Sequence, residues 1–192
     1  MISTGDVITG DTSALYIWYD GTPAWKCSNC TFGKGPNPTS NWVLLDYDGG
    51  QQSGQSSGPM LLIDPTFTGG ATKDSNNLST WASNNPSLSF SYTIQWTYTV
   101  TVKGGSSGSP ISGATVTATD SQSGQECNGT TNSSGVYSCV VNDTKYAAAG
   151  GNYTTTSYSP FTISIAKPGC TTLNYSLTLG STTAETRIVP GC

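Results

Sequence analysis

Residues 88–103 read LSFSYTIQWTYTVTVK, and every second residue of the stretch is apolar without exception. Side chains on an extended strand alternate between its two faces. Leu88, Phe90, Tyr92, Ile94, Trp96, Tyr98, Val100 and Val102 therefore share one face, and Ser89, Ser91, Thr93, Gln95, Thr97, Thr99 and Thr101 the other. At ~3.3 Å per residue the stretch would extend roughly 50 Å, whereas ordinary strands stop at about five or six residues. Such a strand serves either two sheets in succession or one unusually tall sheet.

The chain has 192 residues, room for one large β domain or for two of about 90–100 residues, each with its own core. Only 9% of residues are charged and 10% are aromatic. With apolar alternation recurring along the chain, that composition describes a folded protein with a neutral, hydroxyl-rich surface. The net charge is -4 and the seven Lys and Arg are scattered singly. No basic patch exists to neutralise phosphates or anionic lipid headgroups, which makes nucleic acid and membrane surfaces poor partner candidates. No apolar run, 60–63 among them, approaches the roughly 20 residues that span a bilayer, so no membrane insertion is expected. The opening MISTGDVITG shows neither the basic nor the apolar region of a signal peptide, and a leader removed beforehand is the expectation for a chain of this composition.

Six cysteines in an acidic chain without histidine point to disulfides formed in an oxidising, extracellular setting. Local pairing is expected: Cys27 with Cys30 in a tight loop, Cys127 with Cys139 across a hairpin, and Cys170 with Cys192 to hold the C-terminal end. A zinc site needs more soft or imidazole ligands than CSNC supplies, and there is neither a histidine nor a second C-x-x-C, so no metal is expected. No βαβ pattern surrounds the motif, which argues against thioredoxin-type redox chemistry.

Before residue 97 the chain reads as short strands at 14–19, 42–47 and 60–63, separated by turn-rich stretches such as GKGPNPTSN and GGQQSGQSSGP. LSTWASNN, 78–85, reads as one helical turn. This spacing suggests a sandwich or jelly roll. From residue 97 the pattern is more regular, with strands at 97–103, 113–119, 161–166 and 173–179 and a hairpin around NSSG, where Gly135 supplies a positive φ. The wording PISGATVTATDSQSG, then TTNSSGVYSCVV, then PFTISIAKPGC resembles the carboxypeptidase regulatory-like domain, a transthyretin-like and Cna-B-like immunoglobulin-type sandwich of seven strands. The resemblance covers 97–179 and implies an accessory module for adhesion, spacing or assembly. It departs from the pattern at Cys127 and Cys139 and in a long loop at 142–159. Cna-B-like domains sometimes carry a Lys–Asn isopeptide between first and last strands; the resemblance places Lys103 and Asn174 near those positions, with Glu126 the one acid to assist.

The expected fold is all-β: two β-sandwich domains, immunoglobulin-like or jelly-roll-like, in series and joined by one long continuous strand. The first spans 1–96 with a donor strand at 1–10, the second spans 97–180, and 181–192 forms a disulfide-tied tail.

Without histidine there is no Ser-His-Asp or Cys-His pair and no imidazole base. Asp46 and Asp48, and the only glutamates, Glu126 and Glu185, could in principle serve as an acid pair. They read more simply as solvated turn residues, and the DYDGG stretch lacks the spacing of a full calcium loop. No catalytic residue and no cofactor is expected. Seven asparagines begin N-x-Ser/Thr sequons: Asn29, Asn77, Asn128, Asn132, Asn142, Asn152 and Asn174. Four of the seven fall within 128–152 and suggest covalent glycans on one flank.

Tyr16, Trp18, Trp25, Trp42, Trp81 and Trp96 offer either sugar-stacking rings or core fillers, and core is the commoner fate. In YIWY, Tyr16 and Trp18 oppose Leu15, Ile17 and Tyr19, so a second surface must cover one face. ISTGDVITG and STTAETRIVPGC each read as a strand that could be added to a neighbour's sheet, fitted by Ile2, Val7, Ile8, Ile188 and Val189. These features together suggest a non-enzymatic extracellular subunit that polymerises with copies of itself into a filament, pilus-like fibre or surface layer. The alternative is a carbohydrate-binding or adhesive module of a cell-surface protein.

Overall fold

The computed structural model describes residues 2–18, 25–48, 56–74, 89–149 and 152–192. None of these residues is helical, and the protein is all-β. The helical turn expected at 78–85 lies outside the described residues. The chain divides into two compact units, Met1–Gln95 with Thr144–Thr156, and Trp96–Asp143 with Ser157–Cys192. The strand read first from the sequence is β9 (Ser89–Gly104), 16 residues long and shared by both units. Its apolar face is buried throughout, from Phe90 to Val102.

The first unit begins with β1 (Ile2–Thr4), β2 (Val7–Gly10) and β3 (Ser13–Trp18), then repeats the sequence as β4 (Lys26–Ser28), β5 (Thr31–Lys34) and β6 (Val43–Asp48). A third round starts with β7 (Ser56–Ile63) and β8 (Thr66–Thr68). Each strand lies parallel on its counterpart in the preceding round: β4 on β1, β7 on β4, β9 on β7, β5 on β2, β8 on β5 and β6 on β3. Parallel neighbours cannot be joined by a tight hairpin. Here the remainder of each coil is the connection, so Ile2 faces Lys26, which faces Leu61, which faces Thr93. The unit is a stack of coils.

The corners explain the winding. Gly5, Asn29 and Asp64 occupy equivalent places after β1, β4 and β7, all in the left-handed region at φ 75°, 55° and 50°. A two-residue hairpin turn of the commonest type needs two such residues in succession; a single one swings the chain into the next sheet instead. The ladder continues through the corner, with Gly5 N donating to Ser28 O (3.0 Å), Asn29 N to Ile63 O (2.8 Å) and Asp64 N to Gln95 O (2.9 Å). Inside, Cys27, Leu62 and Ile94 form one buried column by register. Buried Phe32 stands by register beside half-buried Phe67, their rings 6.4 Å apart. Trp42 is buried and its indole N–H donates to Gly10 O at 2.8 Å, tying one coil to the next.

The sandwich or jelly roll expected over 1–96 would pair its strands antiparallel, whereas every described pairing within this stretch is parallel. The turn-rich stretches between strands are corners and coil connections rather than hairpins.

The second unit is a seven-stranded sandwich. One sheet holds β12 (Val136–Ala149) and β16 (Thr183–Val189) beside β9, with β16 parallel to it from Thr183 opposite Tyr98 to Val189 opposite Gly104. The other runs β11 (Gln125–Thr130), β10 (Thr115–Thr119), β14 (Phe161–Ala166), β15 (Leu173–Leu177), antiparallel throughout. Tyr98, Val100 and Val102 on the first sheet and Val116, Ala118, Ile163 and Ile165 on the second are all fully buried. Residues 181–192, expected as a tail, contain the seventh strand, because Thr183, Glu185 and Arg187 alternate inward against β9. β12 continues past Asp143 into the first unit, followed by β13 (Asn152–Ser157) at the edge of the same sheet.

Candidate functional site

Strands at the ends of sheets present unpaired N–H and C=O groups along one side. Among the described residues β1, β2 and β3 each have a strand neighbour on one side only, and β16 has β9 alone. Val7 on β2 is 74% exposed and Ile188 on β16 is 50% exposed. These apolar side chains sit beside open backbone. Ile8 is half-buried and Val189 buried, while the Ile2 side chain lies outside what is described. Thus the segments read as strands to lend are already paired within the chain, each through one edge. What each still offers is its other edge.

The last strand is fastened to both sheets by a polar cluster. Tyr98 on β9 and Tyr175 on β15 bring their hydroxyls to 2.7 Å, and each donates to Glu185 Oε1 on β16, at 2.9 and 2.5 Å. Arg187 Nη2 donates to Glu185 Oε2 at 2.5 Å while its guanidinium lies 4.0 Å from the Tyr175 ring. Burial alone would raise the Glu185 carboxyl, but hydrogen bonds from Arg187, Tyr175 and Tyr98 outweigh it and hold the group below its ordinary value. Burial and the same carboxylate push Tyr175 up to about 12. The cluster is charged and ties β16 to both sheets, with Arg187 Nε its one buried donor left without a partner among the described residues.

Glu126 on β11 sits in a different arrangement. Both its oxygens accept from Asn142 Nδ2, at 3.0 and 2.9 Å, and one also accepts from Asn142 N at 3.2 Å. Burial raises its carboxyl above the ordinary value, the Asn142 bonds work against this, and nearby Asp120 adds to the rise. Asp120 itself accepts from Gln122 N and Gly124 N, both at 2.8 Å, and shapes the turn before β11. The two glutamates therefore belong to separate structural contacts.

Asn174 is exposed on the outer face of the four-stranded sheet, and Lys103 alternates outward from the other sheet, so the two stand on opposite sides of the sandwich. Glu126 faces neither, being engaged by Asn142. The isopeptide arrangement is not assembled.

The cysteines pair as Cys27–Cys30, Cys127–Cys139 and Cys170–Cys192. Asp6 lies close to the first pair, within 4.8 Å between ligand atoms, but the joined sulfurs supply no thiolate to a metal. Trp42 and Trp96 are core residues. The side chains of Tyr16, Trp18, Asp46 and Asp48, with Tyr19, Asn77 and Trp81, lie outside the described residues. No helix among the described residues is long and apolar enough to cross a membrane. Sequence reasoning did not single out Tyr98, Tyr175 and Arg187 as a group. The strand alternation placed Tyr98 inward, and an inward tyrosine asks for a partner, which was the available signal.

No family model matches the chain, and no curated protein does. Among solved structures the chain is similar to the shaft pilin SpaA from Lactobacillus rhamnosus GG, with a TM-score of 0.37 and 16% identity over 50% of this chain and 48% of that one. It is also similar to the Bacillus anthracis TIE protein (TM-score 0.36, 14% identity, 54% of this chain and 19% of that one). A variant of BcpA, the major pilin subunit of Bacillus cereus, gives a TM-score of 0.30 and 14% identity over 49% of this chain and 29% of that one. Each match spans less than half of the other protein's length. Likeness at this level assigns no activity to this chain.

Proposed function

We propose that the protein is a non-enzymatic structural subunit of an extracellular filament or pilus-like fibre, and that copies join by pairing strand edges. The observation that carries this reading is the open side of the first coil, β1 to β3, together with the open side of β16, each beside an exposed apolar residue, Val7 and Ile188. An unprotected edge is a liability in a monomer and an interface in a polymer. The occupant proposed for these edges is a second copy of this chain. Three disulfides and a surface poor in charge suit material outside the cell.

The test is electron microscopy of native secreted material and of Val7→Lys and Ile188→Lys variants. Both side chains are exposed, so each variant should keep its β circular dichroism and melting temperature while fibres shorten or vanish. Dispersed monomers in the native material would replace the filament reading with that of a binding module, and fibres indifferent to both lysines would remove the edges from the interface.

A further inference from the structure

The four sequons that begin on strands fall into two structural classes, whereas Asn29 and Asn132 sit at turns and Asn77 lies outside the described residues. Asn128-Gly129-Thr130 lies within β11, Asn152-Tyr153-Thr154 within β13, and Asn174-Tyr175-Ser176 within β15, and each of these strands ends its sheet. On a strand, residues i and i+2 share a face, so each asparagine projects beside its own hydroxyl residue, and all six side chains are exposed. Asn142 on β12 is the opposite case. Its amide nitrogen donates to both oxygens of Glu126, and Asp143 and Thr144, the rest of its sequon, are buried. The first coil and β16, the edges marked by Val7 and Ile188, contain no sequon.

We infer that Asn128, Asn152 and Asn174 carry N-linked glycans, that folding closes Asn142 to modification, and that the glycans shield the edges of β11, β13 and β15 so that copies meet through the bare ones. The shielding half rests on the filament reading above; the site assignment does not. Asn128 and Asn174 stand at the two ends of one cross-strand row, Asn128–Thr117–Ser164–Asn174. The row spans three strand spacings, about 14 Å, so sugars at its ends overhang a row of amides and hydroxyls. A strand approaching β11 or β15 must come within ~4.8 Å of the edge, where a sugar chain already stands.

The modification requires a lipid-diphosphate-linked oligosaccharide and its transferase. Asparagine Nδ2 attacks the anomeric carbon, the bond from that carbon to the diphosphate oxygen breaks as the N–C bond forms, Nδ2 gives one proton to a base on the transferase, and the lipid diphosphate leaves.

Glycopeptide mass spectrometry of the native secreted protein tests the sites. Modification at Asn128, Asn152 and Asn174 with Asn142 bare is the expected result; a modified Asn142, or any of the three bare in most copies, overturns the assignment. Thr130→Ala, Thr154→Ala and Ser176→Ala together remove the sequons while keeping each asparagine, and fibres of this variant should bundle side by side under the electron microscope. Enzymatic removal of glycans from assembled native fibres gives the same reading without refolding. Fibres that stay separate in either experiment overturn the shielding. Bare native fibres would sink this inference and leave the filament reading intact, whereas glycosylated native monomers would sink the filament reading and the shielding while the sites stood.

Discussion

β9 belongs to two different constructions. Over Ser89 to Gln95 it lies parallel to β7 as the latest turn of a coil stack, and over Tyr98 to Gly104 it lies parallel to β16 in one sheet of a two-sheet sandwich. The stack has an open end, since each coil rests on the one before and nothing described rests on the first. The sandwich is finite: its last strand is bound to both sheets through Tyr98, Tyr175, Glu185 and Arg187, and a disulfide follows it. Alternation along a strand says which face is apolar but nothing about which strand is the neighbour, so one unbroken pattern serves both. Under the filament reading proposed above, growth would use the open edges of β1 to β3 and of β16, and the polar cluster and disulfide would keep β16 itself in place.

The sharpest way to break this contrast is to cut the fastenings and compare losses. Cys170 and Cys192 are 22 residues apart and Cys27 and Cys30 only 3. Loop-closure entropy then gives the first bridge about 3.4 kcal/mol and the second about 1.6 kcal/mol. Replacing Cys170 and Cys192 with Ser should therefore cost roughly twice what replacing Cys27 and Cys30 costs, measured by guanidinium titration of β circular dichroism. Equal losses would mean that the sandwich does not depend on the closure of its last strand.

Glu185 gives the next effect. Glu185→Gln leaves Arg187 without its partner, and a hydrogen bond to a charged group is worth about 1.5–3 kcal/mol. With the Arg187 side chain 37% exposed, solvent screening brings the expected loss at pH 7 down to about 1 kcal/mol. The folded carboxyl titrates below its ordinary value. Its contribution is therefore complete above the unfolded value, about 4.3, and fades as pH falls through the lower folded value. Wild type and variant should converge in acid. Glu126 behaves oppositely: its raised folded value means that wild type gains stability from this group as pH falls through the window down to the ordinary value. As pH falls from 7 to 3, the stability of wild type relative to Glu185→Gln should fall while that relative to Glu126→Gln should rise, read from melting curves of all three, and changes of the same sign would merge the two carboxylates into one environment.

Legibility in the sequence followed the same division. β9 announced itself, and the strands of the sandwich were readable because hairpins keep partners close in sequence and turns such as NSSG carry recognisable chemistry. β16 was missed as a strand of that sandwich because its inward residues include Glu185 and Arg187, which alternate as charges rather than as apolar groups. The coils were illegible for another reason. Their partners lie 24, 35 and 32 residues apart, from Ile2 to Lys26, Leu61 and Thr93, so no fixed period survives. The repeated element is a single left-handed residue, written Gly5, Asn29 and Asp64, three letters that share a backbone conformation and no side chain. The closing of Asn142 could not be read either, because its partner Glu126 is 16 residues away on another strand.

The smallest expected effect tests that corner directly. At Gly5 an added Cβ meets nothing within 4 Å and φ is +75°, so a substitution there reports backbone preference without a clash. Asparagine already occupies the equivalent corner at Asn29, and Gly5→Asn should change stability by no more than about 0.5 kcal/mol, since asparagine tolerates this conformation. A β-branched residue does not, and Gly5→Val should cost about 1–2 kcal/mol. Thermal melts of the two variants side by side decide the point. A clear gap between them means that the first corner is held left-handed, as the coil stack requires; equal costs would mean that β1 and β2 are joined by some other turn, and the first unit would lose the corner that makes it a stack.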